Sequence, residues 1–294
     1  MMSYDFQTTT HGKWILAGEH AVIRGHGALV FPISEKKLTL SYHQSTSELN
    51  ATYEGESGAD THLLFWSVLE QGMQLLGRSL NSLCGHFDLY SNIPVGVGMG
   101  ASAALCVATA RWFSAHDMLP KDEIHPFARQ LENLFHGQSS GLDIAGVAAT
   151  SGIYFKQGAY SPIAQTWQPQ WFLSSCGQIG ITSHCISQVQ TLWQQDLAYA
   201  TQIDQEMSAS VLQARLALEN DTPDSQESLA KAMNIAANCF EQWGLVSESL
   251  KRHMQSLLNA GAIAVKPTGS GGGGYVVSLW DTPPPKIAME LIAV

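Results

Sequence analysis

Two dense glycine clusters constrain this chain more than any other feature: Gly96-Val97-Gly98-Met99-Gly100, and Gly269 followed by Gly271-Gly272-Gly273-Gly274. A backbone so poor in side chains is too flexible to hold one shape unless something packs closely against it or binds to it. The first cluster lies between an expected strand, Phe87 to Ser91, and an alanine-rich helix, Ala101 to Ala115. In that order, free backbone N–H groups and the positive end of a helix converge on one point, which is an anion site by its physics. No Gly-Lys-Ser/Thr follows, so it is not a Walker loop, and the third glycine comes one residue early for a dinucleotide fingerprint. A phosphate cradle and a tight structural turn both remain open on glycine alone.

The elements around the clusters alternate in type. Strands are expected at Trp14 to Ala17, Ala28 to Ile33 and Leu38 to His43, then a helix from His62 to Leu76 stopped by Gly77. A second helix is expected from Lys121 to Phe135, ending at His136-Gly137, with Ile124, Phe127, Leu131 and Leu134 on one face. After a strand at Gly152 to Lys156, the polar stretch Gln157 to Gln170 shows no strong periodic element. It marks a boundary between domains 1–160 and 161–294. The second half reads as a strand at Trp171 to Ser174, a helix with Ile186, Val189, Leu192 and Trp193 on its apolar face, and a long helical region to about Leu258. That region is interrupted near Asn220 to Pro223, where Asp221-Thr222-Pro223 looks like a cap with proline in the first turn. The glycine loop and a strand at Tyr275 to Leu279 follow.

Composition narrows the class. Of 294 residues, 45% are hydrophobic and only 14% charged, against about 25% charged in ordinary globular proteins, so a disordered chain is excluded. With 25 acidic and 15 basic residues the net charge is -10, which argues against nucleic acid or an anionic membrane as partner. The polar start and the lack of a long apolar run predict a cytoplasmic protein without a signal peptide or membrane span. Five cysteines without a C-x-x-C pair are expected to be buried thiols. The tryptophans, Trp66, Trp112, Trp193 and Trp243 among them, are expected to pack cores or grooves. His11, His26, His116 and His136 lack zinc spacing.

Three further segments carry ionisable groups. Glu132 precedes His136-Gly137-Gln138-Ser139-Ser140-Gly141-Leu142-Asp143, so a helix end and the following loop each offer a carboxylate. Taken alone these are ordinary solvated or capping residues. Lys13 adjoins the strand Trp14 to Ala17, followed by Gly18-Glu19-His20-Ala21-Val22. Lys266-Pro267-Thr268 leads into the last glycine loop.

Together these segments, in this order from Lys13 to Gly274, resemble the GHMP small-molecule kinases. Within that family the likeness is to the mevalonate-phosphorylating branch, carried by His11 to Val22, Gly25, Ala28-Leu29, and His136-Gly137 leading to Ser140-Gly141-Leu142-Asp143. The resemblance implies an α+β fold: an N-terminal ribosomal-S5-domain-2-like domain, a C-terminal ferredoxin-like domain and an active site in the cleft between them. It implies that the loop Pro94, Gly96, Val97, Gly98, Met99, Gly100, Ala101 and Ser102 wraps the phosphates of ATP, and that Ser102 and Glu132 hold Mg²⁺. Asp143 would face the substrate hydroxyl with Lys13 beside it. Glu19 and His20 would lie near the substrate, and Gly269 and Ser270 would brace the pocket. Phosphoryl transfer requires charge neutralisation and in-line placement, which such a set supplies. The implied partner is a small alcohol, mevalonate, with the chain acting as a homodimer. Alternatives are another GHMP kinase, acting on phosphomevalonate or a sugar, and a non-catalytic nucleotide-binding regulator. The joint presence of Lys13, Glu132 and Asp143 favours catalysis.

The sequence departs from the family pattern at three positions: Ala101 where Ser is usual, Ser139 where Pro is common, and Ile144 where Asn is frequent. Ser174 to Ser183 also lacks the Lys or Arg of many relatives.

Overall fold

The computed structural model describes residues 4–136 and 139–294. They form two compact units. The first comprises the stretch ending at Lys13, then Pro32–Val95 and Met99–Thr150; the second comprises Trp14–Phe31, Gly96–Gly98 and Ser151–Val294.

The expected strand at Trp14 is the end of a longer one, β1 (Phe6–Ala17). The two strands expected between Ala28 and His43 are a single 21-residue strand, β2 (Ala28–Glu48). The backbone stays extended through Glu35, Lys36 and Lys37, which lie between the two expected segments. β3 (Asn50–Glu54) follows and pairs in parallel with β4 (Cys84–Ser91). In the first unit β2 pairs antiparallel with β4, setting Leu38, Leu40 and Tyr42 opposite Ser91, Leu89 and Phe87. The strand period of two puts these three β2 side chains on one face.

Against that face lie helices α1 (Gly58–Leu75) and α2 (Ala101–Ala115), and α3 (Ile124–His136) packs on α2, Phe127 meeting Phe113 at 5.7 Å. α1 begins a turn earlier than its apolar spacing predicted, because Thr61 donates back to the Ser57 carbonyl at 2.8 Å. Its stop at Gly77 is as expected, with φ of 66°. Rings of Tyr42, Phe65, Phe87 and Trp112 form the centre, with Phe87 4.8 to 5.1 Å from the other three. Each such ring is worth about 1.5–3 kcal/mol when fully buried. Gly72 of α1 is required here, since a Cβ would stand 2.4 Å from the Phe113 ring. The segment expected to open α3 at Lys121 is instead a short 3-10 turn, Lys121–Glu123. The expected stop at Gly137 lies outside the described residues. α4 (Leu142–Ala148) completes the unit.

In the second unit the start of β2, Ala28 to Val30, pairs with β5 (Ile153–Lys156), which pairs with β6 (Ala159–Pro162). β6 lies within the stretch 157–170 that shows no strong periodic element; its four residues are all exposed, so no apolar alternation announced it. A four-stranded antiparallel sheet has the order β10-β7-β9-β8: β7 (Gln170–Ser175), β8 (Ala264–Thr268), β9 (Tyr275–Trp280) and β10 (Ile292–Ala293). The helices of this unit are α5 (Thr182–Gln195), α6 (Leu197–Glu219), α7 (Ser225–Gln242) and α8 (Glu248–Asn259). The break near Asn220 is present, but Asp224 is the N-cap and Pro223 lies before the helix rather than in its first turn. A second break, after Gln242, had no proline to mark it. Trp14 stacks on Phe31 at 4.9 Å and meets Trp171 edge-on at 5.0 Å.

Of the five thiols, Cys106, Cys185 and Cys239 are buried as expected. Cys84, at the start of β4, is exposed, and Cys176, just after β7, is half-buried. No described helix is long and apolar enough to cross a membrane.

Candidate active site

Lys13 is not a surface charge beside a strand. It sits within β1, where its backbone N–H donates to the Met99 carbonyl at 2.9 Å and ties the strand to the first glycine cluster. Its side chain is 2% exposed, and Nζ meets Asp143 Oδ1 at 2.8 Å. Asp143 is the second residue of α4, whose N-cap Gly141 adopts φ of 85°. That left-handed residue turns the chain sharply into the helix, and glycine does so without a Cβ penalty. Asp143 is one-third exposed, so its carboxylate is held by Lys13 and still open to a reactant.

In the first glycine cluster the alternate residues Gly96, Gly98 and Gly100 take φ of 80°, 82° and 83°, while Met99 is buried. A turn with such left-handed residues can bring backbone N–H groups to one side, the kind of concavity that binds anions. Gly96 and Gly98 are exposed. Gly100 accepts the Ala104 N–H at 2.8 Å, opening α2. A Cβ on Gly100 would come within 3.0 Å of Lys13 Cγ, so the helix start and the Lys13 side chain are in close contact. Pro94 precedes the loop half-buried, Val97 lies within it, and Ala101 and Ser102 stand half-buried in the first turn of α2.

Glu132, on α3, is 1% exposed. Its Oε2 receives the Ser139 hydroxyl, whereas Oε1 is buried without a hydrogen-bond partner. Burial, and after it the charge of Asp143, push the Glu132 carboxyl up to about 8. A buried carboxylate with one orphaned oxygen beside a second carboxylate is unfavourable by itself. A hard divalent cation, which takes oxygen donors, would relieve both problems, so the donor set fits Mg²⁺.

A second cluster lies in the second unit. Lys266, on β8, is fully buried and donates to Glu19 Oε1 at 2.7 Å, to the Ile15 carbonyl at 3.3 Å and to the Pro267 carbonyl. Burial lowers its pKa, and Glu19 opposes that shift. Thr268 clasps β1 by accepting from Ile15 N–H at 2.9 Å and donating to the Ile15 carbonyl at 3.0 Å. His20 has φ of 59°, and its Nε2 lies 2.9 Å from the Ser270 carbonyl. Because a carbonyl only accepts, Nε2 carries the proton. Burial lowers the His20 pKa to about 4, with the Ser270 bond opposing. Gly269 follows β8 buried, with φ of 91°. Arg24 makes a two-point contact with Asp204, one arm at 2.6 Å, and lies over the Trp193 ring.

The expected residues thus fall into two sets: Lys13, Glu132, Asp143 and Ser102 in the first unit, and Glu19, His20, Gly269 and Ser270 in the second. Sequence reasoning missed Lys266, Thr268 and Ser139 as members. A lysine flanked by apolar residues in Ala262-Ile263-Ala264-Val265-Lys266 was the available signal for the first.

Residues 64–152 match the family description "GHMP kinases N terminal domain" and residues 216–290 match "GHMP kinases C terminal". The mevalonate kinase of Pyrococcus horikoshii is 27% identical, covering 91% of this chain and 86% of its own length. That of Archaeoglobus fulgidus is 28% identical, covering 94% and 92%. The fold resembles the crystal structure of L. major mevalonate kinase in complex with R-mevalonate, with a TM-score of 0.77 and 23% identity over 96% of this chain and 90% of that one. The two family matches together take in more than half of the chain, the relatives extend over nearly all of it, and the chain belongs to the GHMP kinase family.

Proposed function

We infer that this protein transfers the terminal phosphoryl group of ATP to the primary hydroxyl of mevalonate, giving 5-phosphomevalonate and ADP. The observation that carries the reading is the ion pair of buried Lys13 with part-exposed Asp143, joined by Glu132 with its orphaned oxygen. The relatives named above supply the substrate.

In this reading the amides of the loop from Gly96 to Gly100 and the N-terminus of α2 take the phosphates of ATP, since a left-handed glycine turn and a helix start are suited to an anion. Glu132 and Ser102 would hold Mg²⁺, which supplies neutralisation of phosphate charge when bound. Asp143 accepts a hydrogen bond from the attacking hydroxyl, aims its oxygen and takes the proton as the oxygen–phosphorus bond forms. Lys13 holds Asp143 in place and offers its positive charge to the transferring group. In the second unit His20 is neutral and fixed by Ser270, and Glu19 is held by Lys266. The enzyme works in the cytoplasm on this reading.

The test is ADP release from ATP and Mg²⁺ with a panel of alcohols: mevalonate, phosphomevalonate, homoserine and galactose. Turnover with mevalonate well above the others is expected. Turnover of a different alcohol with none of mevalonate overturns the substrate.

A further inference from the structure

Ser139 is the residue by which this chain departs from its family at the turn before Asp143, and its contacts have a definite direction. Its backbone N–H donates to Asn133 Oδ1 at 2.8 Å, and its carbonyl accepts from Arg129 Nε at 2.8 Å. Its hydroxyl oxygen accepts the Gly141 N–H at 3.0 Å. The amide can only donate, so the single hydroxyl proton of Ser139 is left for Glu132 Oε2, which it contacts. One buried side chain therefore links the carboxylate on α3 with Gly141, the cap of the helix that carries Asp143. Proline at this place has no N–H for Asn133 and no hydroxyl for Glu132.

The consequence lies in the other carboxylate oxygen. With Oε2 engaged by the hydroxyl, the Glu132 carboxylate is anchored at that oxygen, and Oε1 is the atom left buried and unpartnered. We propose that Ser139 is a positioning residue for the cation site: its hydroxyl orients Glu132 so that Oε1 is presented to Mg²⁺, and ties that orientation to the turn holding Asp143. This rests on the reading of Glu132 as a Mg²⁺ ligand.

The experiment measures binding rather than turnover. The affinity for a non-hydrolysable ATP analogue is determined by calorimetry in Mg²⁺ and again in EDTA, and the ratio is the gain the cation provides. Four proteins are compared: the parent, Glu132→Gln, Ser139→Ala and Ser139→Thr. In the parent, Mg²⁺ should tighten binding markedly, and Glu132→Gln should abolish most of that gain. Ser139→Ala should reduce the gain about tenfold while leaving the EDTA affinity unchanged, which also reports that the variant is folded. Ser139→Thr, which keeps the hydroxyl, should restore the gain. If Glu132→Gln diminishes the gain and Ser139→Ala does not, the role of Ser139 is refuted and the ligand assignment stands. If neither variant alters it, or the parent shows no gain, the ligand assignment fails and the inference fails with it. Equal loss of affinity by Ser139→Ala in Mg²⁺ and in EDTA shows a merely structural residue and also overturns the proposal.

Discussion

His20 makes acid sensitivity a measurable property of the second unit. Its ring is 7% exposed, enclosed by Trp243 at 5.2 Å and Phe240 at 6.1 Å, and its pKa is lowered from 6.5 to about 4, mainly by burial. The unfolded chain therefore takes up this proton first as pH falls. Stability from the neutral ring is full above about pH 6.5 and is lost progressively as pH falls towards 4. A shift of that size corresponds to about 3 kcal/mol in all, at ~1.4 kcal/mol per pH unit, and to about 2 kcal/mol between pH 7 and 5. His20→Asn is the appropriate variant, because Asn tolerates the left-handed backbone that His20 adopts. It will be less stable at pH 7 through lost ring packing, so the quantity to read is the slope. Urea unfolding at pH 7 and pH 5, followed by tryptophan fluorescence, should show the parent losing about 2 kcal/mol more than His20→Asn. Parallel losses in the two proteins would refute the claim that His20 is held neutral by its surroundings.

Three further outcomes follow from the same geometry. Asp143→Asn should lower turnover on mevalonate by at least ~10²-fold while ATP affinity stays within a few fold, measured by steady-state kinetics and calorimetry; near-normal kcat would remove Asp143 from the chemistry. Gly100→Ala should reduce both Tm and kcat, since the new Cβ meets Val147 at 2.9 Å and Lys13 at 3.0 Å in a left-handed backbone; an unchanged Tm would show that the loop relaxes freely. Lys266→Met should cost about 3–5 kcal/mol by leaving the Glu19 charge buried, and adding Glu19→Leu should recover most of it. Additive losses in that double variant, read from urea midpoints, would count against a buried ion pair.

The parts of this molecule that were legible in its sequence are those where backbone conformation dictates residue type. Gly96, Gly98, Gly100 and Gly141 all take positive φ, so the loops around the first site were visible as glycine. The amphipathic face of α3 was visible as spacing in part: Phe127 and Leu131 are buried as expected, while Leu134, placed on the same face, is exposed. Lys13 and Asp143 could be paired only through the family resemblance, because 130 residues separate two side chains that meet at 2.8 Å. The burial of Lys266 could be read from the apolar residues before it. Ser139 was obscure for a different reason: its role comes from the donors and acceptors around it, and no local pattern encodes that. Likewise β6 pairs through backbone groups alone with four exposed side chains, so its residues carry no periodic mark.

The contact between Lys266 and Glu19 spans 247 residues, and that between Thr268 and Ile15 spans 253. On a ribosome adding about 5–20 residues per second, the N-terminal partners wait roughly tens of seconds for the others to be made. During that interval Glu19 remains hydrated, and the segment after Lys13 has no β8 to grip it. The cluster around His20 is therefore among the last parts of the enzyme to close, however early its residues emerge. A nascent chain halted before residue 266 would carry Lys13, Glu132 and Asp143 and still lack the lysine that neutralises Glu19. Such stalled chains should be recognised by proteases and chaperones through their N-terminal strand, far in sequence from the point of interruption.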